Sequence, residues 1–137
     1  MQETYVGMQI IGIMVAAVLM FILGGIWYSP MLFAHAWSRE TGITEHKPTP
    51  KSMLRFSAVL LVFLLLSAAI LACILTSWLP GHNWRHGLAV GFLGGVLAAA
   101  VVGMNTLFER KSLKLFLINA GYYLVGFCLM GVIVALF

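Results

Sequence analysis

The chain has 137 residues, 62% of them hydrophobic and 9% charged, with eight Lys and Arg against four Asp and Glu for a formal charge of +4. That balance excludes a water-soluble globular domain, in which about 25% of residues carry charge. Scattered cations in so apolar a chain read as orientation signals beside a bilayer, not as a nucleic-acid-binding surface.

Four apolar runs, at about 6–26, 54–79, 86–108 and 113–137, each supply the roughly 20 residues a helix needs to cross a hydrocarbon layer about 30 Å thick. Their cores, Val6 to Ile26, Phe56 to Leu79, Gly87 to Phe108 and Leu115 to Phe137, contain no Asp, Glu, Lys or Arg. The expected fold is an all-α membrane protein: a four-transmembrane-helix bundle with a short interfacial helix after the first span, in one domain covering residues 1–137.

The first span has no basic residue ahead of it and carries Glu3, so it reads as a retained helix and not as a signal peptide. After it, Ser29-Pro30 has the form of an N-cap followed by proline at the first helical position, which predicts a short helix at about 30–41 stopped by Gly42. Leu32, Phe33, Ala36 and Trp37 share one face of that helix and His35, Ser38 and Arg39 the other, which suits an elbow lying along the membrane surface. Thr44 to Ser52 is polar with two prolines and reads as linker.

Thr49-Pro50 opens the second long helix. The connection from Pro80 to His86 holds two histidines four apart, His82 and His86, which is half of a metal site, but no nearby Cys, Asp or Glu completes one and an ordinary loop is expected. The third span carries Gly87, Gly91, Gly95, Ala99 and Gly103 at strict four-residue intervals. In lipid, where apolar burial gives helices no special attraction, such a stripe permits close backbone approach. Packing within the protomer, packing across a two-fold axis and clearance for a ligand all remain open. Short connections at 80–86 and 109–112 make the second, third and fourth spans antiparallel neighbours in turn, and Ser112 caps the last. Cys73 and Cys128 fall inside spans, where small buried apolar side chains are expected.

Arg39, Lys47, Lys51 and Arg55 lie in the first connection and Arg110, Lys111 and Lys114 in the third, whereas the second has only Arg85. Seven cations against one place the first and third connections in the cytoplasm and both termini outside. The buried polar groups gather at that cytoplasmic end. Asn105 and Glu109 end the third span, Asn119, Tyr122 and Tyr123 begin the fourth, and Trp27, Tyr28 and Ser29 close the first, with His35 beyond. These residues either converge on a cytoplasm-facing polar vestibule or simply fasten helices, through Asn105–Asn119 or tyrosine hydroxyl hydrogen bonds.

The run Gly24-Gly25-Ile26-Trp27-Tyr28-Ser29-Pro30, followed by Leu32, Phe33 and Trp37, resembles the bacterial membrane family called domain of unknown function 1761. A second block agrees: Phe108-Glu109-Arg110, then Leu113 to Tyr122, with Gly131 in the last helix. Ala34 stands where the family is expected to have glycine. The resemblance implies a small four-helix membrane protein, and it transfers no catalytic residue.

The chain contains no Asp and no intramembrane Glu, so no paired acids are available for catalysis and no enzyme is expected. The missing acid in the first span also disfavours the proton-coupled cation export of small multidrug transporters. Two functions remain. One is a homo-oligomeric channel or carrier, as a homodimer, with the polar cluster as vestibule. The other is a non-catalytic accessory or sensory subunit that binds lipid, a hydrophobic molecule or a membrane-protein partner. Neither calls for a metal or cofactor.

Overall fold

The computed structural model describes residues 2–43 and 49–137, with side chains from residue 6 onward. Residues 44–48 of the expected linker, including Lys47, lie outside the described residues, as does the side chain of Glu3. The described residues form five helices and no strand: α1 (Gln2–Trp27), α2 (Ala34–Thr41), α3 (Pro50–Trp78), α4 (Trp84–Phe108) and α5 (Leu113–Leu136). All but α2 are long and apolar enough to cross a membrane.

Local chemistry sets most helix ends. The Thr49 hydroxyl accepts the Ser52 N–H at 3.3 Å, with Pro50 at the first helical position of α3. Ser112 accepts the Leu115 N–H at 3.1 Å and starts α5. Asn83 starts α4 by accepting from the Arg85 and His86 amides, while His86 Nδ1 accepts the Asn83 N–H at 3.2 Å. His86, four residues after His82 in what was expected to be an ordinary loop, thus completes a capping box.

The core lies where α1, α3 and α5 meet. Met20, Leu75 and Met130, one from each helix, are its largest fully buried side chains, and Ala16, Ala17, Ala68 and Ala72 give them room. Alternation of large and small side chains lets these helices approach closely. α5 is central and touches all four other helices.

α4 packs outside this trio. Its stripe runs antiparallel along α5, Gly87 against Gly131 and Ala135, Gly91 against Phe127 and Cys128, Gly95 against Tyr123 and Leu124, and Gly103 against the Phe116 ring. A Cβ at Gly91 would lie 3.0 Å from the Cys128 Cα and one at Gly95 2.9 Å from the Leu124 Cα, so the two backbones are in contact. Within the chain the stripe packs on α5.

One expectation needs correction. The short helix begins at Ala34, not at residue 30. The Ser29 hydroxyl donates back to the Ile26 carbonyl at 2.7 Å instead of capping, and residues 28–33 wind as turns in which the Ser29 carbonyl accepts from Leu32 and Ala34. Gly42 (φ 70°) ends α2 as expected. α3 and α4 touch, as their short connection requires, with Leu71 3.6 Å from the position of a Cβ on Gly94, but α3 packs more extensively on α1 and α4 on α5.

Candidate functional site

At the end of the bundle where α1 finishes, α3 begins and α2 crosses, a cleft of about 540 Å³ lies among α1, α2, α3 and α5. Six aromatic side chains line it: Phe21 and Tyr28 from the α1 end, Trp37 from α2, Phe56 from α3, and Tyr122 and Tyr123 from α5. Gly24 and Gly25 make the room. A Cβ on Gly25 would meet nothing within 4 Å, whereas one on Gly24 would press on the Tyr122 hydroxyl at 3.1 Å.

Helical spacing brings the α5 contributors together, since Asn119, Tyr122 and Tyr123 stand at i, i+3 and i+4 on one face. The Tyr28 hydroxyl donates to Asn119 Oδ1 at 2.9 Å, the Tyr122 hydroxyl to the Met20 carbonyl at 3.3 Å, and the Trp27 indole N–H to the Ile118 carbonyl at 3.0 Å. These three bonds tie α1 to α5. Tyr28 also meets Trp37 and Tyr122 edge-on, with ring centroids 6.1 and 5.5 Å apart. Burial, followed by the neighbouring Tyr123 and Tyr122 hydroxyls, holds the Tyr28 phenol above its ordinary pKa of 10.0.

α2 is fastened across the end of the cleft. Glu40 accepts a hydrogen bond from the Ser112 hydroxyl, whose oxygen at the same time caps α5. Ser38, expected on the outer face of the elbow, lines the cleft with Ala34 and Trp37.

The cluster read from sequence is therefore brought together in part. Trp27, Tyr28, Asn119, Tyr122 and Tyr123 assemble, and Ser29 shapes the turn that follows. His35, Asn105 and Glu109 are exposed and stand apart from the cleft. At about 100° per residue Asn105 sits some 200° from Gly103, so the seam that fixes α4 on α5 turns it outward. Sequence reasoning missed Phe21, Phe56 and Leu60, whose apolar character within spans is no different from that of lipid-facing residues. It also missed Glu40 as a partner of Ser112.

Four membrane-length helices, three of which border a small aromatic cleft with no charged side chain among the described residues that line it, define a polytopic membrane protein with a concave apolar site. The chain belongs to the family described as "Protein of unknown function (DUF1761)", whose model matches residues 11–135. No curated protein and no solved structure matches it.

Proposed function

We propose that this protein is a non-catalytic membrane-embedded binding subunit, holding a small hydrophobic or amphipathic molecule in the cleft at the end of the bundle. The observation that carries this reading is the cleft itself: its volume falls within the roughly 300–1,000 Å³ of small-molecule sites, and its lining is mostly apolar with a few placed hydroxyls. The same end bears Arg39, Lys51, Arg55, Arg110, Lys111 and Lys114, all exposed, so by the positive-inside rule the cleft opens to the cytoplasmic side. α2 then lies along that surface, and the termini face outward across a bacterial inner membrane.

The alternative, a homo-oligomeric channel or carrier, draws less support. Met20, Leu75 and Met130 fill the bundle axis, so a path would run between copies, and the glycine stripe suggested for such an interface is engaged by α5. Native mass spectrometry from mild detergent tests the proposal. The wild-type chain is expected to carry a reproducible extra mass that Gly25→Leu, which fills open space in the cleft, displaces. A ligand-free spectrum, with protein-dependent ion or solute flux in liposomes, would favour the alternative.

A further inference from the structure

Resting on that binding reading, the geometry points to the chemical class of the occupant: we propose that the cleft receives an organic cation with an apolar body, seated among Tyr28, Trp37, Tyr122 and Tyr123. The lining offers negative electrostatic potential without formal charge. Four aromatic rings, from the turn after α1 and from α2 and α5, border one space, and the interplanar angles of 72° for Tyr28–Trp37, 62° for Tyr28–Tyr122 and 59° for Tyr122–Tyr123 turn their faces in different directions, as walls and not as a flat stack. Aromatic faces carry the negative side of the ring quadrupole and attract cations.

The hydroxyls act in the same sense. Tyr28 and Tyr122 donate their protons to Asn119 and to the Met20 carbonyl, neither of which lines the cleft. What the two oxygens can still offer is acceptor lone pairs. An anion would find π faces, with the Tyr28 and Tyr122 donors committed and only the Tyr123, Ser38 and Ser57 hydroxyls left to donate, and a neutral hydrocarbon would gain nothing from the oxygens. An onium or ammonium group gains from both, and its apolar body suits Phe21, Phe56 and Leu60. The cations at this end of the molecule stand outside the lining, exposed and screened by water over a Debye length of about 8 Å.

Three probes of closely similar shape separate charge from fit: tetraphenylphosphonium, tetraphenylborate and the uncharged tetraphenylsilane. Equilibrium dialysis against the whole chain in dodecyl maltoside, corrected with protein-free micelles, reads binding directly. Saturable phosphonium binding is expected, about 10-fold or more tighter than that of either other probe. Trp37→Leu is expected to weaken it about 3- to 30-fold while Trp37→Phe retains most of it, and Gly25→Leu should abolish it. Equal affinity for all three probes, or preference for the borate, would overturn the cation assignment and leave the binding reading standing. Absence of saturable binding by any of them would overturn both. The comparison of probes uses the wild-type chain, so it holds even where a variant fails to fold.

Discussion

At the scale of single residues, two glycine environments separate packing from space. Gly131 lies where an added side chain would strike the Gly87 carbonyl and the Gly91 backbone, atoms that no rotamer change can move. Gly131→Val is therefore expected to destabilise the fold by about 1–3 kcal/mol. Gly25→Ala, with nothing nearby, should be neutral or stabilising by up to about 1 kcal/mol. Thermal melts in one detergent compare the two. Tyr28 makes a different prediction. Its phenol titrates above the ordinary value of 10.0 in the folded chain, so at high pH the folded state holds a proton that the unfolded state has lost. The stability it contributes is complete below pH 10 and declines as pH rises beyond it. Melting temperatures from pH 8 to 11.5 should fall less steeply in Tyr28→Phe than in the wild type, and parallel curves would remove Tyr28 from the account. The partnership of Asn119 with a tyrosine was legible as chemistry in the sequence, since a buried amide in a span needs a partner. That the partner is Tyr28, with Asn105 left outside, depends on how α4 is rotated.

Among the elements, α2 and the turn into α5 are coupled through one hydroxyl. Ser112 accepts from the Leu115 amide and donates to Glu40, so its removal acts on two helices at once. Ser112→Ala is expected to cost about 0.5–2 kcal/mol. It should also speed amide hydrogen exchange in both α2 and the first turn of α5. Glu40→Ala should loosen α2 alone, leaving the cap intact. If exchange in α2 is unchanged by either substitution, the helix is held by its aromatic contacts and not by this bond. Thr49-Pro50 and Ser112 could be read as helix starts because a cap is a matter of neighbouring residues. Ser29-Pro30 has the same form without being a cap, since its hydroxyl is turned back to the Ile26 carbonyl. A dipeptide pattern does not specify which way a hydroxyl points.

For the whole molecule, the uneven distribution of cations makes a topological prediction. In a background with Cys73→Ser and Cys128→Ser, a thiol placed by Arg85→Cys is expected to react with an impermeant maleimide added outside intact cells, and one placed by Lys111→Cys only after permeabilisation. The reverse pattern would invert the orientation and move the cleft to the opposite face of the membrane. The number of long helices and the crowding of polar and basic residues at one end followed from the chain itself. Both rest on composition: a run of about 20 apolar residues is readable without knowing its neighbours. The pairing of helices is different, because core-facing and lipid-facing side chains are alike apolar and no periodic alternation of polarity marks the buried face. Tertiary structure alone decided that α4 gives its glycines to α5, that α3 packs more on α1 than on α4, and that Phe21, Trp37 and Phe56 border one cleft. Those outcomes are selected by shape, through backbone approach where side chains are small and ring packing where they are large, and shape is a property of the assembled bundle.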